Sequence, residues 1–293
     1  GQYFTDRLLI KYLVNICEPQ LQDGNVPSVW DPSAGTGGFL IEYIHQINQQ
    51  GEIDWRINKN NIFGNDINKN TYSLLKQNLY YAFKEASGLS IKLNDSLIYD
   101  DDQMYDFILA NPPFGIKGLK YKDMCQKVKA LDINGTKGEI LFLQLCMVKL
   151  NPNGKCCVVV PEGVLFNSTT MYKKTRKYLL ENFNLKRVIK VGEGEFFKNT
   201  GVKTSVLYFE RTGSTESVEF IQVDKINDQI VEVPLMTIEM EKIVENEYSL
   251  NMNLYKEIIL DVNDDFEVFE LKDICNIKNG RNIPKRDRLE TGI

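Results

Sequence analysis

The chain of 293 residues has a single histidine, His45, and six cysteines, none of them spaced as Cys-x-x-Cys. Zinc sites draw mainly on these two residue types, so the sequence predicts no metal site. It contains no apolar run of the roughly 20 residues that a transmembrane helix needs, no internal repeat and no low-complexity tract. A hydrophobic share of 43% and a charged share of 26% are typical of an ordinary globular domain with one large core.

Two of the cysteines, Cys156 and Cys157, are adjacent in an apolar stretch that reads as a buried strand. Neighbouring thiols in a core are typical of proteins from reducing compartments. The cysteine pattern therefore predicts a cytoplasmic protein.

The first informative motif is the glycine-rich segment Asp31-Pro-Ser-Ala-Gly-Thr-Gly-Gly38. An apolar stretch ending at Trp30 precedes it, and a helical pattern of Phe39, Tyr43, Ile44 and Ile47 follows it. Strand, glycine turn and helix form the first unit of a dinucleotide-type fold, in which the helix N-terminus and bare backbone face a ligand. No Lys-Ser/Thr pair follows, so the segment is not a phosphate-cradling loop. Asp31 can accept from a ligand's ammonium group.

Acidic residues follow the next two predicted strands. The strand at 61–66 ends in Asp66, and an acid at the tip of the second strand is the usual partner of the two hydroxyls of a ribose. The strand at 89–93 precedes Asp95, a natural acceptor for an adenine amine. Ile67 can cover the adenine ring. For both acids, a solvated loop carboxylate is the alternative interpretation.

Residues 111–114 read Asn-Pro-Pro-Phe and follow a hydrophobic strand at 105–110. Asn111 offers a side-chain carbonyl as an acceptor. Pro113 forces Pro112 into an extended conformation, which fixes the direction of the Pro112 carbonyl. Two such acceptors can hold the N–H groups of an aromatic amine and turn its lone pair out of the ring, while Phe114 offers a face for stacking. An isolated Asn-Pro-Pro is more often a turn, and the other motifs favour the catalytic interpretation here.

Together, the segments 31–38 and 111–114 resemble the cofactor loop and catalytic loop of S-adenosylmethionine-dependent DNA adenine-N6 methyltransferases. Within this class, the chain resembles modification subunits of type I restriction–modification systems. It implies that the catalytic residues are Asn111, Pro112, Pro113 and Phe114. It implies cofactor contacts from Phe4, Thr5, Asp31, Ala34, Gly35, Thr36, Gly37, Gly38, Phe39, Asp66, Ile67, Asp95 and Ser96. The implied contacts to the target base are Phe114 and Phe197, with Phe196 close behind Phe197.

The resemblance covers nearly the whole chain. Residues 138–144 resemble the helix after the catalytic loop, and 196–209 resemble the last hairpin, where an aromatic contacts the flipped base. At the front, Thr5 stands at the expected cap of an amphipathic helix that carries Leu9, Leu13 and Ile16. Family members often have Pro after this Thr, whereas this chain has Asp6. The departure bears only on how the helix starts.

The implied fold is α/β, a Rossmann-like class I methyltransferase with a C-terminal extension. We expect a seven-stranded, mostly parallel sheet with helices on both faces and one antiparallel strand near the edge. The expected domains are 1–212 for S-adenosylmethionine-dependent methyl transfer, 213–265 as an acidic extension or linker, and 266–293 as the start of a target-recognition (specificity) domain. A helix is expected over 234–245. Because the chain starts without Met and its tail is too short for such a domain, we expect a piece of a longer fused protein.

Charge is unevenly distributed along the chain. The net charge is −5, yet residues 213–270 hold fifteen acids and three lysines, a local charge of −12 that leaves +7 for the rest. The basic residues form three clusters: Lys117, Lys120, Lys122, Lys127 and Lys129; Lys173, Lys174, Arg176 and Lys177; and Lys278, Arg281, Lys285, Arg286 and Arg288. Such patches can neutralise phosphates, although a charged run is often only a solvated face. The first cluster, beside the catalytic loop, favours DNA contact; for the second, the two interpretations are equal.

The implied function is methyl transfer from S-adenosylmethionine to a flipped adenine in double-stranded DNA, with a fused specificity module and a restriction subunit as partners. Two alternatives remain open. One is a methyltransferase acting on a glutamine amide of a protein, which uses the same Asn-Pro-Pro logic but more often has Tyr in place of Phe114. The other is a catalytically idle DNA-binding or assembly subunit.

Overall fold

A computed structural model describes residues 5–83, 88–192, 196, 202–256, 269 and 271–276. The chain divides into two compact units, Gly1–Tyr255 and Lys256–Ile293. The strands are β1 (Val29–Asp31), β2 (Ile62–Asp66), β3 (Ser90–Leu93), β4 (Tyr105–Ala110), β5 (Leu150–Pro161), β6 (Asn184–Val191), β7 (Thr204–Glu210), β8 (Ser217–Ile226) and β9 (Gln229–Glu239). The helices are α1 (Arg7–Cys17), α2 (Gly38–Asn48), α3 (Trp55–Asn58), α4 (Lys69–Phe83), α5 (Gln126–Lys129), α6 (Gly138–Lys149), α7 (Gly163–Phe166), α8 (Thr170–Asn182), α9 (Met240–Glu245) and, in the second unit, α10 (Leu271–Ile274).

The strands of the first unit form one sheet in the order β3-β2-β1-β4-β5-β7-β6-β8-β9. The described residues thus give nine strands, and the prediction of seven was wrong. Strands β3, β2, β1, β4 and β5 are parallel. Strand β7 runs antiparallel between β5 and β6, and β9 runs antiparallel to β8 at the edge.

The two additional strands come from the region expected to be a linker. Strand β8 contributes the buried residues Val218, Phe220, Ile221 and Val223 to the core. Its partner β9 lies at the sheet edge and carries mostly exposed residues, so its sequence shows no core periodicity. The helix expected over 234–245 was wrong in its first half: residues up to Glu239 pair with β8, and the helix begins at Met240. Pro234 is tolerated there because an edge strand does not need every N–H.

The sheet is covered on both faces. Strand β5 shows this by alternation, since Cys156, Val158 and Val160 face one cluster while Cys157 and Val159 face the other. Helices α6 and α8 contribute to the first cluster, and α1, α2 and α4 to the second. Burial on both faces explains why this strand reads as a continuous apolar run. Among the described residues, no helix is both long and apolar enough to cross a lipid bilayer.

One basic residue of the second cluster belongs to this core. Arg176 on α8 is 1% exposed, and its guanidinium donates to the carbonyls of Val164 (2.9 Å), Asn167 (3.0 Å) and Tyr248 (2.7 Å). Burial lowers its pKa to about 10. Its inclusion among possible DNA contacts was therefore wrong. Arg176 instead links α8 by hydrogen bonds to α7 and to the segment after α9.

Replacing Arg176 tests this link. Arg176→Ala leaves three carbonyls without their donor, and we expect a loss of at least about 3 kcal/mol in the free energy of unfolding, measured in urea. Lys174→Ala, an exposed neighbour on the same helix, is the control and should change stability by less than about 0.5 kcal/mol. Similar stabilities for the two variants would contradict a stabilising role for Arg176.

Candidate active site

The site stands where four adjacent parallel strands end. The order β3-β2-β1-β4 places the carboxyl ends of these strands side by side along one edge of the sheet. Asp31 ends β1, Asp66 ends β2, Asp95 follows β3 and Asn111 follows β4. Residues scattered over eighty positions of sequence are thereby brought together, as expected for ligand binding in an open α/β sheet.

A cavity of about 510 Å³ lies at this edge. Fourteen of the residues predicted for the site line it: Thr5, Asp31, Ala34, Gly35, Thr36, Gly38, Phe39, Asp66, Ile67, Asp95, Ser96, Asn111, Pro112 and Pro113. Gly37 and Phe114 are not among the lining residues, and Phe4 and Phe197 lie outside the described residues.

The glycine loop is shaped by backbone conformations that other residues rarely adopt. Gly35 and Gly37 have φ values of 55° and 90°. A Cβ on Gly37 would lie 2.7 Å from a methyl group of Leu75, so close packing also requires glycine here. Gly37 thus shapes the loop as the cap residue of α2 without lining the cavity.

Asp66 joins the glycine loop to the end of β2. Its Oδ2 accepts from the backbone N–H of Gly35 (3.0 Å), and its Oδ1 accepts from that of Asn68 (2.7 Å). Each carboxylate oxygen keeps a further lone pair for a ligand hydroxyl. Burial raises the pKa of Asp66. Beside it, Ile67 leaves its side chain 71% exposed at the cavity, as a face for a ring would be.

Asp31 is the most deeply buried acid of the site, at 2% exposure. Its Oδ1 accepts from the backbone N–H of Ser33 (3.0 Å). Burial, with a smaller contribution from the charge of Asp66, raises the pKa of Asp31 to about 7. A cation in the cavity would favour its ionised form.

The segment after β3 forms a further part of the cavity wall. Ser96 donates its hydroxyl to the carbonyl of Pro32 (2.6 Å), so it cross-links two loops as well as lining the cavity. Asp95 accepts from the N–H of Leu97 (3.0 Å) through Oδ1, and no described residue donates to its Oδ2. That oxygen can take a ligand N–H.

Several residues that line or support the cavity escaped the sequence analysis. Asn65 accepts from the indole N–H of Trp30 (2.7 Å) and donates to Asn94, which forms a polar floor under the loops. Asn94 directly precedes the predicted Asp95 and Asn68 lies two residues after Asp66, so their position at strand ends was the available signal. Phe142 gave no such signal, because its α6 reads as an ordinary core helix. The lining residues not predicted are Ile10, Pro32, Ser33, Asn68, Thr71, Asn94, Leu97, Ile116, Leu119 and Phe142.

The Asn-Pro-Pro-Phe segment leaves two carbonyl oxygens without a donor among the described residues. Asn111 donates through Nδ2 to Oγ1 of Thr5 (2.9 Å), whereas no described donor reaches its Oδ1 or the carbonyl of Pro112. Phe114 is partly buried and packs against the cluster formed by α1 and α2. The chain beyond it is held against α6, where a Cβ on Gly138 would lie 3.0 Å from a methyl group of Ile116.

The front segment starts its helix differently from the prediction. Asp6, not Thr5, caps α1, with Oδ1 accepting from the N–H of Leu8 (2.8 Å). The backbone N–H of Asp6 donates to the carbonyl of Phe196 (3.1 Å). Phe196 itself is 1% exposed and packs in the core, so its role as a reserve contact for the target base was wrong.

The basic clusters differ in their surroundings. Lys117, Lys120 and Lys122 are exposed and have no carboxylate partner among the described residues. In the second cluster, Lys173 pairs with Glu247 and Lys177 lies 3.7 Å from Glu181. The second cluster is thus largely engaged within the protein, while the third lies outside the described residues.

Comparison with known proteins identifies the family of this chain. Residues 1–246 match the family model described as N-6 DNA Methylase. The chain belongs to the N-6 DNA methylase family. This membership confirms the resemblance drawn from the two loops, and the fold prediction is confirmed apart from the number of strands.

Individual members of the N-6 DNA methylase family share a quarter to a third of the residues. The methylase subunit of type I restriction enzyme EcoEI from Escherichia coli is 28% identical over 228 residues, which are 76% of this chain and 45% of that protein. The EcoKI methylase subunit from Escherichia coli K12 is 31% identical over 228 residues, 72% of this chain and 40% of that protein. The crystal structure of the EcoKI M protein gives a TM-score of 0.63 at 27% identity and covers 75% of this chain and 48% of that one. The chain therefore spans less than half the length of these relatives.

Proposed function

We propose that this chain transfers a methyl group from S-adenosylmethionine to N6 of an adenine flipped out of double-stranded DNA, as the modification part of a restriction–modification system. The observation that carries the proposal is the pair of carbonyl oxygens of Asn111 and Pro112 beside the acid-lined cavity. Membership of the N-6 DNA methylase family and similarity to methylase subunits of type I restriction enzymes support it.

The cavity fits the cofactor. Asp31, Asp66, Ile67 and Asp95 all line the cavity. Asp66 would hold the ribose hydroxyls, Asp31 the ammonium group and Asp95 the adenine amine, while Ile67 would cover the adenine ring. The remaining predicted contacts (Thr5, Ala34, Gly35, Thr36, Gly38, Phe39 and Ser96) line the same cavity, with Gly37 shaping its loop and Phe4 outside the described residues. When bound there, S-adenosylmethionine supplies the electrophilic methyl group.

Catalysis would rest on preorganised acceptors. The Oδ1 of Asn111 and the carbonyl of Pro112 would each accept one N–H of the target amine, which turns its lone pair toward the cavity. Pro113 fixes the direction of the Pro112 carbonyl, and Phe114 and Phe197 would stack on the base. Acceptors already oriented for the transition state need no reorganisation during the reaction, so positioning and electrostatics can provide most of the acceleration.

DNA would lie over the catalytic loop. Lys117, Lys120 and Lys122 provide exposed positive charge directly after it, with no carboxylate partner in the described part of the chain. We further propose that 1–212 carries the chemistry, that 213–265 extends it, and that 266–293 begins a fused target-recognition module acting with a restriction subunit. The five buried cysteines, all free thiols, support a reducing, cytoplasmic setting: Cys17, Cys125, Cys146, Cys156 and Cys157.

Cofactor affinity should depend on pH through Asp31. Its pKa of about 7 in the free protein means that it is protonated, and neutral, below that pH. Binding of an ammonium group requires the carboxylate, so affinity is present above pH 7 and is lost as the pH falls. Titration calorimetry with S-adenosylhomocysteine should show Kd rising about tenfold from pH 8 to pH 6. Asp31→Asn should bind weakly with a flat profile; an equally steep profile would assign the titration to another group.

Loss of the Asn111 amide should affect chemistry rather than cofactor binding. Asn111→Ala removes an acceptor that matters most in the transition state, so single-turnover methyl transfer should fall on the order of 10²–10³-fold, about 3–4 kcal/mol. The Kd for S-adenosylhomocysteine should stay close to that of the wild type, because the acids of the cavity are intact. A wild-type rate for Asn111→Ala would show that this loop is only a structural turn.

A labelling experiment separates the alternative functions. The complete natural protein, with its co-purifying subunits, is incubated with tritiated S-adenosylmethionine and two possible substrates. One is DNA that lacks N6-methyladenine, and the other is protein from a cell extract. Label in DNA, identified as N6-methyladenine by mass spectrometry, supports the proposal. Label in a glutamine of protein supports the amide methyltransferase, and label in neither supports the idle subunit.

The exposed lysines should set the salt dependence of DNA binding. Each phosphate contact contributes a slope of about −0.9 to the dependence of log K on log salt concentration. Replacing Lys117, Lys120 and Lys122 by Gln should therefore flatten the slope by up to about 2.7, measured by fluorescence anisotropy with duplex DNA. Lys173→Gln, whose side chain pairs with Glu247, is the matched control. An unchanged slope in the triple variant would place the DNA elsewhere.

A further inference from the structure

We propose that Thr5 is the positioning residue that sets the catalytic amide of Asn111, so that its oxygen rather than its nitrogen faces the target amine. The inference rests on the proposed function and adds to it a second role for Thr5, which also lines the cofactor cavity. Its basis is the hydrogen bond from Nδ2 of Asn111 to Oγ1 of Thr5, at 2.9 Å. This bond joins positions 106 residues apart in sequence.

An asparagine amide needs such a partner because its two ends are nearly alike in size. A half-turn about the last side-chain bond exchanges the carbonyl oxygen for the NH2 group. The oxygen accepts an N–H from an amine, whereas the NH2 group presents only donors and opposes it. In the arrangement found here the hydroxyl oxygen of Thr5 accepts from Nδ2, which leaves Oδ1 of Asn111 to accept from the target amine.

Threonine is suited to this task. Its hydroxyl can accept from the amide, and its branched Cβ restricts the rotation of the side chain. Valine has nearly the same shape without the hydroxyl, and serine has the hydroxyl without the methyl group. The structure thus offers a matched pair of substitutions at this position.

The backbone beside Thr5 is held by three contacts of Asp6. Its N–H donates to the carbonyl of Phe196 (3.1 Å), its Oδ1 caps α1 at Leu8 (2.8 Å), and its Oδ2 lies 3.7 Å from Nζ of Lys225. The hydroxyl therefore stands at a fixed place relative to both α1 and β8. Orientation of the catalytic amide depends in this way on docking of the front segment.

The test compares Thr5→Val and Thr5→Ser in the complete natural protein. At saturating S-adenosylmethionine, Thr5→Val should slow single-turnover methyl transfer to DNA on the order of ten- to a hundredfold, since misplacement of a catalytic group costs rate. Thr5→Ser should recover most of that loss. Because Thr5 also lines the cavity, Thr5→Val can weaken binding of S-adenosylhomocysteine, so the test is the rate at saturating cofactor, which a role as a cofactor contact alone would leave unchanged.

A double variant checks the route of the effect. Added to Asn111→Ala, Thr5→Val should cause no further loss, because the amide that it positions is already absent. Multiplication of the two losses would overturn the proposal, as would a wild-type rate for Thr5→Val. A weakened Kd with an unchanged rate at saturation would also overturn it and leave Thr5 as a cofactor contact only.

A second measurement needs no methyl transfer. In the ¹⁵N spectrum of the free protein, the side-chain NH2 signals of Asn111 are identified by their loss in Asn111→Ala. Thr5→Val should shift these signals and speed their exchange with water, and Thr5→Ser should not. If the wild type fails to methylate DNA, the proposed function fails, yet these signals still decide the inference: unchanged signals in Thr5→Val would refute the Thr5–Asn111 contact.

Discussion

The register of four parallel strands determines where every polar group of the site stands. Asp31 on β1 lies opposite Gly64 on β2, and Asp66 on β2 lies opposite Leu93 on β3. The strand ends are therefore level to within a few residues, and the loops that follow them share one edge. Gly64 adds a steric condition: a Cβ there would lie 2.9 Å from Leu40 and 3.2 Å from Ala34, in the space that the glycine loop and α2 occupy.

This geometry turns backbone donors toward acidic side chains before any ligand arrives. Asp66 takes N–H groups from two different loops, and Asp31 takes one from its own loop. Each bond stabilises the carboxylate, whereas burial opposes it, and for Asp31 and Asp66 burial is the larger effect on the pKa. The two carboxylates are thus fixed in position, but hydrogen bonds compensate their negative charge only in part. A ligand that brings an ammonium group and hydroxyls completes what the fold leaves unpaired.

What the sequence could reveal follows from how local each feature is. The glycine turn and the proline-locked carbonyl are conformations that particular residue types impose on their own backbone, so their positions were predictable. The burial of Phe196 and Arg176 depends on segments far away in sequence, and no local sequence feature predicts it. Strand β9 was missed for a related reason: an exposed edge strand obtains its conformation from pairing with β8, not from an apolar pattern of its own.

The departure of Asp6 from the family's frequent Pro shows how such long-range contacts replace a local constraint. Its φ of −60° and ψ of 141° are values that Pro would also adopt, so the backbone path is the same. Pro would fix that path through its ring but has no N–H. Asp6 instead fixes it through its N–H to Phe196, its cap on α1 and its proximity to Lys225. In this chain the hydroxyl of Thr5 is thereby held 2.9 Å from Nδ2 of Asn111. The position before the helix thus fixes the front segment, and with it the contact between Thr5 and Asn111, through long-range hydrogen bonds rather than through a ring.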